Sequence, residues 1–259
     1  MSSYQSIYST KVNYQAMDLV SLYVSMENDV VPLRVRQKSL HFLEAYELHL
    51  SSYRGKQPSV LEIGCGYPPS GNVQGMGGSL RLWREWFGHG TRICGVDIIE
   101  ECKQYEDPSN SISVEIGSQD DTSFLEKIVE QHGPFDIIID DGSHIDVHIK
   151  KSFECLFPYL RNGGTYVVED INDHVKSGNS FKSPDRFISL ALDMAARLQK
   201  YTEMVTAQHN AGLLDYQPEL LSVNDCLIDS ISFYRDLIII KKQFREKSIQ
   251  MPMPPHYNF

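Results

Sequence analysis

The sequence has no long hydrophobic run and no excess of positive charge. No segment approaches the roughly 18 consecutive apolar residues of a membrane-spanning helix, and the first residues lack a charged segment followed by an apolar stretch. With 24 Lys and Arg against 34 Asp and Glu, the formal net charge is -10 at pH 7. A nucleic acid or an anionic membrane would need a basic face. We therefore expect a cytoplasmic protein whose partner is a small molecule, with self-association into a homo-oligomer left open.

Cysteine is also scarce, and no two cysteines have the Cys-x-x-Cys spacing. An odd number without that spacing argues against a disulfide framework or a zinc site. We expect all five to be reduced packing residues: Cys65, Cys94, Cys102, Cys155 and Cys226. Internal repeats and coiled-coil heptads are absent too, and 259 residues suit one large α/β domain with additions.

Three apolar runs that end in acidic residues are predicted to be buried strands. They span residues 60–63, 135–139 and 164–168. The second run lacks period-two alternation, which suits a strand covered on both faces, as in a parallel sheet between helices. Further strands are predicted at 91–97 and 111–116, with a closing pair at 230–233 and 237–240 that includes an antiparallel member. Because helical patterns alternate with the first five, we predict an α/β fold with a mostly parallel sheet of seven strands.

The helix signals divide the chain further. Leu40, Leu43, Tyr46 and Leu50 recur at helical spacing, so residues 1–55 are predicted to be a helical N-terminal extension or lid. Residues 56–245 would form the main domain, and 246–259 a C-terminal tail. Ser79 is a candidate N-cap. Other helices are predicted at 124–131 and at 145–160, the second followed by a glycine stop signal. A further helix is predicted to begin at Ser183-Pro184. The polar insertion before it, at 172–183, is predicted to act as a lid.

A glycine loop after the first strand points to a nucleoside pocket. Gly64 and Gly66 lack the close third glycine that a dinucleotide-binding loop requires. Glu62 precedes them, Asp97 ends the next strand, and Gln119-Asp120 follows the third. At successive strand ends these groups would hold an amino-acid moiety, a ribose and an adenine amino group, as in S-adenosylmethionine. The alternative is a strand turn whose glycines serve only a positive φ.

Two acidic pairs and a histidine follow the fourth and fifth strands. Asp140-Asp141 precedes Gly142-Ser143-His144, and the second pair is Glu169-Asp170. Clustered like charges destabilise a fold unless a cation lies between them, and hard carboxylate oxygens suit Mg²⁺. If the strand continues through Asp140 and Asp141, the two side chains point to opposite faces. We favour Asp141 for the metal and Asp140 for the cofactor side, although one of them could instead cap the following helix.

Several strings together resemble a known family. They are Glu62-Ile63-Gly64-x-Gly66, the segment from Gly77 to Trp83, Asp140-Asp141-Gly142-Ser143-His144, Phe157-Pro158-x-Leu160, and Tyr166-Val167-Val168-Glu169-Asp170. They resemble class I S-adenosylmethionine-dependent O-methyltransferases that act on sugars of natural products, including the macrolide (mycinamicin and macrocin) and tetracenomycin-rhamnose enzymes. The resemblance implies a Rossmann-like fold with helices on both faces, His144 as general base, and a magnesium ion held by Asp141, Glu169 and Asp170.

We therefore predict metal-dependent methyl transfer from S-adenosylmethionine to a hydroxyl of a small molecule, such as a sugar hydroxyl of a glycosylated natural product. The predicted cofactor residues are Glu62, Gly64, Gly66, Ser79, Asp97, Gln119, Asp120 and Asp140. Two alternatives stay open. One is a catalytically silent domain that keeps the cofactor pocket, and the other is a different enzyme class on the same fold.

Overall fold

Seven strands form a single sheet in the computed structural model, which describes residues 17–28, 40–66, 77–171, 185–210 and 227–243. The strand order is β3-β2-β1-β4-β5-β7-β6. The strands are β1 (Ser59–Ile63), β2 (Arg92–Asp97), β3 (Ile112–Ile116), β4 (Phe135–Asp140), β5 (Leu160–Glu169), β6 (Ile228–Tyr234) and β7 (Leu237–Lys242).

The first five strands are parallel, and the closing pair is not. β7 runs antiparallel to β5, and β6 runs antiparallel to β7. The mostly parallel sheet and its antiparallel closing member are thus confirmed. The chain passes outward from β1 to β3 and then returns to place β4 on the other side of β1. Ligands of open α/β sheets bind at this kind of reversal, beyond the carboxyl ends of the strands.

Helices connect and cover the strands. They are α1 (Leu19–Asn28), α2 (Leu40–Leu50), α3 (Gly78–Phe87), α4 (Thr122–His132), α5 (Asp146–Leu156) and α6 (Phe187–Asn210). Short 3₁₀ turns occupy Ser51–Tyr53, Glu100–Tyr105, Pro108–Asn110 and Phe157–Tyr159. Among the residues that the structure describes, none of the helices combines the length and the apolar character that crossing a bilayer requires.

The sheet is buried on both faces, which explains why its strands lack period-two alternation. Ile137 and Ile139 of β4 belong to one hydrophobic cluster, together with residues of α1, α2 and α3. Ile138 between them belongs to a second cluster with residues of α4, α5 and α6. The described helices of the N-terminal extension therefore share a core with the sheet. The division at residues 55 and 245 remains a prediction.

Two local predictions were wrong, and one alternative is excluded. Ser79 does not cap α3, because the N-cap is Gly77 in a left-handed conformation (φ 66) and no side chain makes a cap hydrogen bond. Neither Asp140 nor Asp141 caps α5, whose N-cap is Ile145. That helix ends at Leu156 rather than residue 160, since a 3₁₀ turn containing Pro158 follows it.

The glycines predicted to stop α5 lie within β5 instead. β5 begins at Leu160, and its pairing with β4 shifts register between Phe135 and Ile137. This irregularity accommodates the extra residues around Gly163, whose φ of 83 suits a glycine. The acidic tip of the strand is unaffected.

Some predictions fall outside the described residues. These are residues 1–16 and 29–39 of the N-terminal extension, the polar insertion at 172–183 with Pro184 behind it, Cys226, and the tail at 246–259. The four described cysteines are free thiols, and three of them are buried. Burial raises the pKa of Cys65 and of Cys94 above the ordinary thiol range, as expected for packing residues.

Candidate active site

The end of β1 is joined to β2 and to β4 by backbone contacts. The amide of Gly64 donates to Val96 O at 2.7 Å, and the amide of Asp141 donates to Ile63 O at 2.9 Å. Gly64 has a φ of +91, and a Cβ added there would lie 2.0 Å from the carbonyl oxygen of Asp141. Only glycine permits this approach. The first glycine of the predicted loop is therefore also required by packing against the acidic string.

A cavity of about 320 Å³ lies beyond the carboxyl ends of β1 to β4. Its volume is at the lower end of the ~300–1,000 Å³ typical of small-molecule sites. Among the predicted cofactor residues of the described chain, Gly64, Asp97 and Gln119 line it. The other lining residues are Ile63, Val96, Ile98, Gly117, Ser118, Gly142, Ser143, Ile145 and His148.

Asp97 is held rigidly at the mouth of this cavity. Its Oδ2 accepts from the amide of Cys65 at 2.9 Å, and its Oδ1 accepts from the amide of Ile99 at 3.0 Å. These donors, with the Cys102 thiol that also hydrogen-bonds to it, hold the carboxylate in place, and a carboxylate has about four acceptor sites. Asp97 can therefore accept hydroxyl hydrogen bonds from a ligand without rearranging.

Asp140 reaches the cavity only through Gln119. Gln119 Nε2 donates to both carboxylate oxygens of Asp140, at 3.0 and 3.2 Å, and its Oε1 accepts from the amide of Ser143 at 2.6 Å. Ser152 also donates to Asp140, which is 1% exposed. Burial raises the pKa of Asp140 to about 6. Asp140 therefore holds the side-chain amide of Gln119, which lines the cavity, in place by hydrogen bonds.

We expect Asp140→Asn to remove part of the pH dependence of stability. Burial raises the pKa of Asp140 from 3.8 to about 6, so the folded state holds this proton more tightly than the unfolded state. The stability this group contributes is present below about pH 4 and is lost as pH rises through about 6, amounting to about 3 kcal/mol. Urea unfolding at pH 4 and pH 7 should show the parent losing about 2 kcal/mol relative to the variant, because at pH 4 part of the contribution is already lost. An equal difference at both pH values would contradict the raised pKa.

Asp141, His144 and Asp170 form a second cluster beside the cavity. One potential ligand atom from each lies within 4.8 Å of the other two, and His144 Nε2 is 4.0 Å from Asp170 Oδ2. His144 and Asp170 have φ values of 58 and 50, so both adopt the left-handed conformation. Such backbone costs about 1–3 kcal/mol per residue and is concentrated at functional sites.

The cavity and the cluster share one short string. Gly142 and Ser143 line the cavity, whereas Asp141 and His144 on either side of them belong to the cluster. A ligand in the cavity therefore lies next to the acidic groups. The assignment of Asp141 to the metal and Asp140 to the cofactor side remains a prediction.

Glu169, the other predicted metal ligand, lies in a more enclosed place than Asp170. It is 1% exposed, and its Oε1 accepts a hydrogen bond from the hydroxyl of Tyr46 in α2. Burial, followed by the charge of Glu169, raises the pKa of Tyr46 well above its usual range, so the hydroxyl remains a donor. Sequence reasoning placed Tyr46 on the apolar face of a helix. Helical spacing gives no information about what its hydroxyl contacts.

The other predicted cofactor residues of the described chain are not among those that line the cavity. Glu62 is fully buried in β1, and its charge is among the minor causes of the raised Tyr46 pKa. Gly66 has a φ of 75, and Ser79 is buried in the first turn of α3. Asp120 accepts from Ser118 Oγ at 2.6 Å, which lowers its pKa.

His148 is a cavity residue that the sequence did not reveal. Its Nδ1 is 3.1 Å from Ser143 Oγ, and its Nε2 is 3.7 Å from Asp120 Oδ2. A single histidine in a helix has no spacing pattern that distinguishes it from a surface residue. Only the tertiary fold, which brings α5 near Asp120 after β3, shows that this ring lines the cavity.

Comparison with known proteins finds relatives that share part of this chain. No protein-family model matches the chain. It is 44% identical over 133 residues to the mycinamicin VI 2''-O-methyltransferase of Micromonospora griseorubida, a match that covers 50% of this chain and 31% of that protein. It is 45% identical over 133 residues to the 8-demethyl-8-(2-methoxy-alpha-L-rhamnosyl)-tetracenomycin-C 3'-O-methyltransferase of Streptomyces olivaceus, covering 50% and 32%. The matched half of the chain thus spans about a third of the length of these curated relatives.

A solved structure resembles nearly the whole chain. The methyltransferase MycE of the mycinamycin biosynthetic pathway, in complex with Mg, SAH and mycinamycin VI, superimposes with a TM-score of 0.68 at 29% identity. The superposition covers 92% of this chain and 55% of MycE. The predicted fold is therefore confirmed: this chain has the class I methyltransferase fold, and over half its length it resembles the O-methyltransferases that modify the sugars of macrolides and tetracenomycins.

Proposed function

We propose that this protein transfers a methyl group from S-adenosylmethionine to a hydroxyl of a small-molecule acceptor, with a divalent cation such as Mg²⁺ assisting. A sugar hydroxyl of a glycosylated natural product is the acceptor class we favour. The observation that carries the proposal is the 141–144 string, whose inner residues line the cavity and whose outer residues belong to the acid and histidine cluster. Methyl donor and acceptor oxygen would then meet at this string.

The cavity residues suit S-adenosylmethionine. Gly64 has no side chain to cover its backbone. Asp97 presents a carboxylate that can accept hydrogen bonds from ribose hydroxyls. Gln119, which follows the next strand, would meet the adenine. Glu62 and Gly66 would face the cationic amino-acid part. We assign Ser79, Asp120 and Asp140 supporting positions around this pocket.

The acidic cluster suits a hard cation. Carboxylate oxygens are the ligands that Mg²⁺ prefers. Asp141 and Asp170 of the cluster would supply them, and we assign Glu169, next to Asp170 in the chain, as a third ligand. When bound, the ion would make an acceptor hydroxyl easier to deprotonate. The surrounding protein would align the acceptor oxygen with the methyl group and its sulfur. Such positioning supplies much of the rate of a transfer reaction.

His144 is the group to which we assign the proton of the acceptor hydroxyl. The cluster would also allow His144 to act as a ligand. Because Mg²⁺ prefers oxygen to imidazole nitrogen, the three carboxylates are better ligands and leave the imidazole for proton transfer. The Nε2 atom is directed toward Asp170, and we assign it the proton.

An enzyme explains this cluster better than a silent binding domain. Grouped carboxylates without a cation repel one another, and two members of the cluster hold left-handed backbone besides. The predicted cytoplasmic location, the lid at 172–183 and self-association remain predictions.

The direct test uses acceptor screening and metal removal. Mass spectrometry should detect products heavier by one CH₂ when glycosylated natural products are incubated with the protein, S-adenosylmethionine and Mg²⁺. EDTA should abolish turnover and added Mg²⁺ should restore it, whereas calorimetry should show unchanged affinity for S-adenosylhomocysteine, since the cavity and the acidic cluster use different residues. Full turnover in EDTA, or binding of NAD instead of S-adenosylhomocysteine, would rule the proposal out.

A further inference from the structure

We infer that Tyr46 is a positioning residue for the metal site, acting through Glu169 from the N-terminal extension. The inference rests on the proposed function, because it assigns Tyr46 a role toward the cation. It goes beyond that function in making α2 part of the site rather than a cover over it.

The contact is buried and spans a long distance in sequence. The Tyr46 hydroxyl donates to Glu169 Oε1 across 123 residues of chain, and the two side chains are 0% and 1% exposed. A buried carboxylate needs hydrogen-bond donors, and a donor on one oxygen limits rotation of the carboxylate group. Glu169 is therefore presented in one orientation. The residue after it, Asp170, belongs to the acidic cluster.

Tyr46 is itself held by packing. Its ring makes an edge contact with Trp83 of α3, with centroids 5.2 Å apart. Both residues belong to the hydrophobic cluster that α1, α2 and α3 form over one face of the sheet. The amide of Leu19 donates to Glu47 Oε2 at 2.8 Å, which joins α1 to α2. The hydroxyl thus meets Glu169 from a fixed position, as expected of an outer partner that orients a metal ligand.

A purely structural role is the competing explanation. In that case Tyr46 only satisfies a buried carboxylate, and its loss would lower the melting temperature without changing cation binding. The chain offers a matched control. Tyr53 also directs a hydroxyl at β5, donating to Gly163 O at 2.6 Å, but at the end of the strand away from the acidic tip. Tyr53→Phe removes a comparable hydroxyl and leaves the site untouched.

The experiment is a cation titration of the full-length protein with S-adenosylhomocysteine present. Mn²⁺ serves as the probe, because it takes the same oxygen ligands as Mg²⁺ and is followed by its electron paramagnetic resonance signal. Tyr46→Phe should weaken Mn²⁺ binding by about 10- to 100-fold, the usual effect of removing such an outer partner. Tyr53→Phe should bind Mn²⁺ as the parent does. In a Glu169→Gln background, Tyr46→Phe should have no further effect.

The outcomes separate the inference from the function. If Tyr46→Phe binds Mn²⁺ like the parent while Glu169→Gln binds weakly, Tyr46 is structural and the proposed function stands. If the parent binds no Mn²⁺, the inference and the metal role both fail. Should Tyr46→Phe not fold, the double variant with Glu169→Gln removes the buried charge and allows the comparison. Weaker binding by the double variant than by Glu169→Gln alone would also overturn the inference.

Discussion

His144→Ala should lower the rate of methyl transfer by roughly 10²- to 10⁴-fold, the usual contribution of a general base. An acceptor hydroxyl is a weak nucleophile until it loses its proton, and we assign that proton to His144, which the fold brings beside Asp141 and Asp170. Binding of S-adenosylhomocysteine should be unaffected, because in the described chain the residues that line the cavity do not include His144. The loss should therefore appear in single-turnover rates at saturating cofactor.

Cation binding by the same variant distinguishes a base from a ligand. If His144 is a base, His144→Ala should bind Mn²⁺ nearly as well as the parent, since the carboxylates remain. The control is His132→Ala at the end of α4, whose ring pairs with Glu115 at 3.1 Å on another part of the sheet. His132→Ala should turn over normally. A His144→Ala protein with full activity would show that the acceptor is activated elsewhere, and one that no longer bound Mn²⁺ would make His144 a ligand.

Gly64→Ala should destabilise the protein by about 2 to 6 kcal/mol and impair turnover in whatever fraction still folds. Two costs combine at this position. The φ of +91 is unfavourable for alanine, at about 1–3 kcal/mol. The new Cβ would also lie 2.0 Å from the carbonyl oxygen of Asp141, so the backbone must shift, at a further ~1–3 kcal/mol as in overpacked cores. Because Asp141 belongs to the acidic cluster, this shift should also disturb cation binding.

Gly163→Ala is the matched control for this variant. Its φ is +83, close to that of Gly64, but an added Cβ would meet no atom within 4 Å. It should therefore cost only the conformational part, about 1–3 kcal/mol, without the further cost of the close contact. Chemical denaturation of both variants, with Mn²⁺ titration of each, measures the difference. If the two variants were equally destabilised, the backbone at Asp141 could move away from the new Cβ at no cost. Gly64 would then be required only for its backbone angle.

Much of the architecture could be read from local patterns. Uninterrupted apolar runs such as 137–139 occur where a strand is covered on both faces, and the structure buries Ile137 and Ile138 in opposite clusters. Because parallel strands end at the same edge of a sheet, Asp97, Gln119 and Asp141 could be predicted to converge. Helix ends were less predictable. Gly77 rather than Ser79 begins α3, since a left-handed glycine can start a helix as well as a side-chain cap can.

What the sequence determined by itself is the parallel sheet with its closing pair and the edge at which the acids, the glycines and His144 lie. Tertiary structure alone decided how each group is used. It placed Asp140 beneath Gln119, brought Tyr46 to Glu169 across 123 residues, and put His148 at the cavity rim. The physical reason is that strand and helix periods depend on near neighbours, whereas the partner of a buried polar group depends on which distant segments pack together.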